Sequence, residues 1–161
     1  MAANSKLIDE LYDKIIEKNI ILINEDTEED KAVTIKDEIH KAFGIVYKER
    51  NFENSDEKFC VLAHEYGHCE SDTTHKLYSR LQLIEQHENR ANRAAVYEFL
   101  PVEKIKDAFK RKYFDYWEIA DYLDLPEAFV KMAIDIYTVE GKLKEYRYVE
   151  GQSLILCKPQ I

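Results

Sequence analysis

Residues 61–68 read Val-Leu-Ala-His-Glu-Tyr-Gly-His and contain the pattern H-E-x-x-H, formed by His64, Glu65 and His68. On a helix, residues four apart lie one turn apart on the same side, so two imidazoles at this spacing can share one divalent ion. Glu65 then stands beside the ion without binding it, where a carboxylate can serve as general base for hydrolysis. Five residues of this kind also arise by chance, so the weight of the pattern depends on whether its segment is helical.

The segment reads as such a helix. Asn54 followed three residues later by Glu57, with Asp56 between them, is a helix start of the capping-box kind. Phe59, Leu62, Ala63 and Tyr66 then recur at i, i+3, i+4 and i+7, an inward face, while His64 and His68 follow a neighbouring line. The spacing predicts a helix from Asn54 to about Cys69.

A catalytic zinc needs a third protein ligand and one open position. His75 is the choice in a metzincin, but H-E-x-x-H-x-x-G-x-x-H places its Gly at Ser71 and its last His at Thr74, and both fail. Asp72 lies on the following loop with nothing to fix it toward the imidazoles. Glu88 stands on a second predicted helix with Ala91 and Ala95 on the same face, and small residues there let two helices approach until a carboxylate reaches the ion. The predicted metal set is therefore His64, His68 and Glu88. A further donor to the oxyanion is usual in such sites, and His75 is preferred over Tyr66 and Tyr78.

Stepping from these residues to the elements that must hold them, Leu7, Ile8, Leu11, Tyr12, Ile15 and Ile16 predict an amphipathic helix ending near Lys18, with Asn4 or Ser5 as cap. Ile20–Ile23, Ala32–Ile35 and Phe43–Tyr47 predict three short strands, although Ala32, Ile35 and Ile39 also fit a helix. Residues 70–81 read as a loop. Helices are predicted from Leu83 to Leu100, stopped by Pro101, and from Val102 to Phe109. Tyr116–Leu123 and Pro126–Tyr137, jointed at Asp124 and Leu125, give a helix-turn-helix outline, and Lys144–Val149 with Ser153–Cys157 a closing hairpin turning at Glu150 and Gly151. Domain organisation is expected as a core over 1–112 and a helical and hairpin module over 113–161, packed on the core.

Composition narrows the function. The chain has 161 residues, 45% hydrophobic and 34% charged, with four glycines and three prolines, a folded and helix-leaning profile. Its net charge of −9 opposes phosphate backbones and anionic lipid. The helix-turn-helix outline carries Asp115, Glu118, Asp121, Asp124, Glu127 and Asp135 against Lys131 alone, so it lacks the cations of a groove-reading helix. No direct nucleic-acid contact and no membrane association are expected. Neither a leader nor a long apolar stretch is evident, which points to the cytoplasm. Cys60, Cys69 and Cys157 have no C-x-x-C spacing and read as small buried residues, not as a disulfide framework or a thiolate switch on the metal. His40 and His87 read as surface residues or as outer neighbours of the site.

The run His64 to His68, then Glu88 to Ala95 (E-N-R-A-N-R-A-A), leading to Phe99, Leu100 and Pro101, resembles the ImmA/IrrE family of metallo-endopeptidases, compact gluzincin-type enzymes of bacteria and their mobile elements. The likeness extends from about Lys31 to Tyr137. Ala94 stands where the family often carries an aromatic residue, and Glu98 where it usually has an apolar one. The resemblance implies an α+β fold with a zincin-like core and one Zn²⁺. It also implies a protein substrate, a helix-turn-helix transcriptional repressor of a prophage or mobile element. Two other functions fit the same residues: a zinc-containing protein that binds such a repressor without cutting it, and a zinc amidohydrolase acting on a small substrate.

Overall fold

The computed structural model describes residues 3–25, 31–74, 81–144, 146–149 and 152–156. Helix α1 spans Ala3–Glu17, and strands β1 (Ile21–Asn24), β2 (Ala32–Asp37) and β3 (Ala42–Tyr47) follow. After a single 3-10 turn at Glu49–Asn51 come α2 (Ser55–Ser71) and α3 (Leu81–Phe99). The chain continues through α4 (Val102–Lys110), α5 (Tyr116–Leu123), α6 (Glu127–Val139), β4 (Tyr146–Val149) and β5 (Gln152–Leu156). The expected α+β class and element order are both present. The chain forms two compact units, Met1–Ala95 and Val96–Ile161, and the division falls within α3. No helix among the described residues is long and apolar enough to cross a membrane.

In the first unit the strands lie in the order β1-β3-β2, with β1 parallel and β2 antiparallel to β3. The segment that also fitted a helix is β2, because all six of its residues pair with β3, from Ala32 opposite Tyr47 to Asp37 opposite Ala42. Tertiary pairing overrides the weaker local preference. Its side chains alternate: Ala32 is buried, Thr34 and Lys36 are half-buried, and Val33 and Ile35 are exposed.

Helix α2 begins as its sequence predicts, with Asn54 Oδ1 accepting from the Glu57 amide at 2.8 Å. The return bond differs from a capping box, since the Glu57 carboxylate accepts from the Glu53 amide at 2.8 Å. That bond and an ion pair with Lys31 hold the Glu57 carboxyl below its ordinary pKa. Phe59, Leu62, Ala63 and Tyr66 are fully buried, together with Leu11 and Ile15 of α1 and Ile45 of β3. Each large aliphatic or Phe side chain among them contributes roughly 1.5–3 kcal/mol relative to an exposed one. The helix outruns its predicted end at Cys69 by two residues, to Ser71. The Ser71 hydroxyl donates to the Gly67 carbonyl at 2.7 Å, and Asp72 then closes the helix in the left-handed region at φ 50°.

In the second unit Pro101 follows the end of α3, and Tyr137 of α6 is the largest fully buried side chain among the described residues. Its hydroxyl donates to the Leu100 carbonyl at 2.9 Å, and burial pushes the phenol up to about 12. The helix-turn-helix outline is observed, with Asp124 at φ 54° making the joint between α5 and α6. β4 and β5 pair antiparallel as the predicted hairpin requires. Its turn residues Glu150 and Gly151, and Cys157, lie outside the described residues.

Candidate metal centre

His64 and His68 lie one turn apart on α2, and Glu88 comes from the second turn of α3. The three residues bring donor atoms together in a group able to hold a metal ion. The Nε2 atoms of the two imidazoles are 3.0 Å apart. Glu88 Oε2 is 3.1 Å from His64 Nε2, and Glu88 Oε1 is 3.4 Å from His68 Nε2. Ligand atoms bound to zinc at about 2.0–2.1 Å in a tetrahedron stand about 3.3 Å from one another, so the spacing fits.

The outer nitrogens of the rings sharpen this test. His68 Nδ1 lies 2.8 Å from the Thr73 carbonyl oxygen, which can only accept, so Nδ1 carries the hydrogen. His64 Nδ1 lies 2.8 Å from Asn92 Oδ1, which fixes the second ring in the same way. Each ring is thereby left with Nε2 as the atom it presents to the other ring and to the Glu88 carboxylate, and a divalent ion between them could take both nitrogens and the carboxylate as ligands.

Packing explains how a later helix comes so close. A β-carbon placed on Gly67 meets the Ala91 carbonyl oxygen at 2.1 Å, a separation that no side chain tolerates. Ala91 and Ala95 are fully buried, as their small size predicts. Gly67, which the sequence reading left without a role, is the residue that admits α3 to van der Waals contact beside His68.

Glu65 lies in the same cleft, of about 340 Å³, lined by Ala32, Val33, Thr34, His64, His68 and Glu88 among others. The Thr34 hydroxyl stands 2.7 Å from Glu65 Oε2 and 3.0 Å from the Glu65 backbone carbonyl, and its one proton is best given to the carboxylate. Burial raises the pKa of Glu65, and the Thr34 bond and the neighbouring His64 offset part of the rise. A buried carboxylate with a raised pKa, on the rim of a metal group, is suited to accepting a proton.

Other predicted residues are distributed differently. His75 and Tyr78, the candidate oxyanion donors on the loop, lie outside the described residues. Tyr66 is fully buried in the core and does not line the cleft. Asp72 is exposed and pairs with Lys36 Nζ at 2.5 Å, away from the imidazoles. His40 is exposed and bonds Asp37 at 2.6 Å, and His87 is half-buried on α3 outside the donor group. Neither described cysteine contributes to that group. Cys69 is buried, and burial pushes its thiol up to about 12, consistent with the inert role read from the sequence.

Three residues of the site were missed by sequence reasoning: Thr34, Thr73 and Asn92. Asn92 carried a usable signal, because it follows Glu88 by four positions and so shares its helix face. Thr34 and Thr73 carried none, because their roles depend on where β2 and the end of α2 lie in space.

Comparison with known proteins agrees with this geometry. No curated protein and no solved structure matches the chain. The family model of the peptidase M78 group, described as the IrrE N-terminal-like domain, matches residues 31–135, which include β2, both site helices and the helix-turn-helix outline as far as residue 135 of α6. The match indicates a metallopeptidase-type domain, the structure brings His64, His68 and Glu88 together within it, and the chain belongs to the peptidase M78, IrrE N-terminal-like family.

Proposed function

We propose that the chain is a zinc-dependent endopeptidase of the cytoplasm, acting on a specific protein. The substrate that best fits its family is a helix-turn-helix transcriptional repressor of a prophage or mobile element. The observation that carries the reading is the meeting of both Nε2 atoms with the Glu88 carboxylate within 3.4 Å, with Glu65 in the same cleft.

His64, His68 and Glu88 are the residues that would hold the ion. When bound, zinc supplies Lewis-acid activation of water and of the scissile carbonyl. Glu65 takes the water proton and returns it to the leaving amine, and Thr34 holds the Glu65 carboxylate by one oxygen. Asn92 and the Thr73 carbonyl prevent the imidazoles from rotating away.

An extended peptide is favoured over a small amide by strand β2. The Lys48 amide donates to the Lys31 carbonyl at 3.2 Å, which marks 31 and 48 as a hydrogen-bonded pair, and the antiparallel alternation continues through 33 with 46 and 35 with 44. The backbone groups of Ala32, Thr34 and Lys36 therefore point away from β3, along the edge that borders the cleft. A substrate strand can add to that edge and lie across the site.

The test is purified protein with one equivalent of zinc, incubated with the repressor encoded nearest to its gene and followed by mass spectrometry. A single metal-dependent cut, lost on chelation and in Glu65→Gln, is the expected result. Repressor binding without any cut, unchanged in Glu65→Gln, would show a non-catalytic regulator instead.

A further inference from the structure

The open face of the three-stranded sheet carries two apolar rows that end at the cleft edge. Ile21 of β1 pairs with Gly44 of β3, and Gly44 with Ile35 of β2. Ile23 pairs with Val46, and Val46 with Val33. Side chains alternate along a strand, so these residues share one face, opposite to Ile45 and Thr34. The Ile35 side chain lies over Gly44, whose added β-carbon would meet Ile35 Cγ1 at 3.1 Å. Ile21, Ile35 and Val33 are 57%, 46% and 39% exposed, an unusual state for three branched residues on one small sheet.

Each row stops at β2, and the next position outward is the strand that the Ala32, Thr34 and Lys36 backbone groups can accept. Val33 is among the residues lining the metal cleft, so the rows end at the strand that borders the site. On the other face, next to Thr34, the added strand's side chains turn toward the His64 and Glu65 side of the sheet.

We infer that Val33 and Ile35 are specificity-determining residues, and that they select an extended protein segment with apolar side chains, β-branched or aromatic, at two positions separated by one residue. This deepens the peptidase reading and rests on it. The incoming side chains extend the Ile21–Gly44–Ile35 and Ile23–Val46–Val33 rows by one strand and cover Val33 and Ile35. Cross-strand pairs of this kind are the unit by which sheets discriminate among sequences, and two of them change recognition by about fivefold. The backbone edge alone accepts any sequence, so the rows supply selectivity that the edge lacks.

The experiment uses the zinc-loaded full chain and a mixture of unstructured dodecapeptides, half with alternating apolar residues and half with Ser and Asn at the same positions. Wild-type protein is expected to cut the apolar set with a higher kcat/KM. Val33→Thr and Ile35→Thr, singly and together, keep a strand-forming residue and should reduce that preference about fivefold in the double variant. In parallel, methyl NMR of the zinc-loaded Glu65→Gln protein reads whether the apolar peptides shift the Val33 and Ile35 signals. Cutting without a preference, or with the same preference in the double variant, overturns the inference and leaves the peptidase reading standing. Binding that shifts those methyls, weakens in the double variant and is accompanied by no cutting in wild type supports the inference and removes the peptidase reading. Neither cutting nor binding overturns both.

Discussion

Gly67 of α2 faces the Ala91 carbonyl of α3 across a gap that leaves no room for a β-carbon, which would lie 2.1 Å from that oxygen. The contact sits one residue before His68 and three after Glu88. It therefore sets how near the carboxylate comes to the imidazoles.

Gly67→Ala should push α3 outward and open the donor group. Overpacking of this kind costs about 1–3 kcal/mol, and the displaced carboxylate should weaken zinc binding as well. Thermal melts with and without zinc, together with competition against a chromogenic chelator, check both parts. A variant as stable as wild type, with equal zinc affinity, would mean that the helices are not held at this distance.

Asn92→Ala removes the acceptor 2.8 Å from His64 Nδ1 while leaving all three donor residues in place. Loss of such a partner lowers metal affinity about 10- to 100-fold. The melting temperature of the zinc-free protein should hardly move, because Asn92 is half-exposed and its side chain is outside the core. Isothermal titration with zinc gives the affinity, and a change under twofold would remove the orienting role.

Thr34→Val keeps the shape of the side chain but takes the proton away from Glu65 Oε2. A fall of about tenfold in kcat is expected, part of the roughly 10²- to 10⁴-fold that a positioned general base contributes, with KM and zinc affinity little changed. Thr34→Ser restores the hydroxyl and should recover most of the rate. Equal losses in the Val and Ser variants would instead indicate a packing defect.

Cys69 binds its proton more tightly in the fold than in the unfolded chain, because burial lifts the thiol from 9.0 to about 12. The stability it contributes is complete below about pH 9 and is lost as pH rises toward about 12. Replacing it in Cys69→Ala should flatten that part of the stability profile. At pH 8, peptide mapping after iodoacetamide should find Cys60, which is only half-buried, modified well before Cys69. Rapid labelling of Cys69 in the folded protein would contradict this.

Most of the elements and the three donor residues were legible in the sequence by itself. Helical spacing placed His64 and His68 on one side of α2, the Asn54 and Glu57 pair marked where that helix starts, and the small face of Ala91 and Ala95 singled out Glu88. These are short-range facts, set by 3.6 residues per turn and by caps within one turn of the residues they serve. Tertiary structure alone decided the order β1-β3-β2, the close contact at Gly67 and the convergence of Thr34 and Asn92 on the site. Thr34 precedes Glu65 by 31 positions and Asn92 follows His64 by 28, so no local periodicity relates them. Their meeting follows from burying one face of α2 against a sheet and another against a helix, and the free energy of that burial belongs to the whole first unit and not to any segment of it.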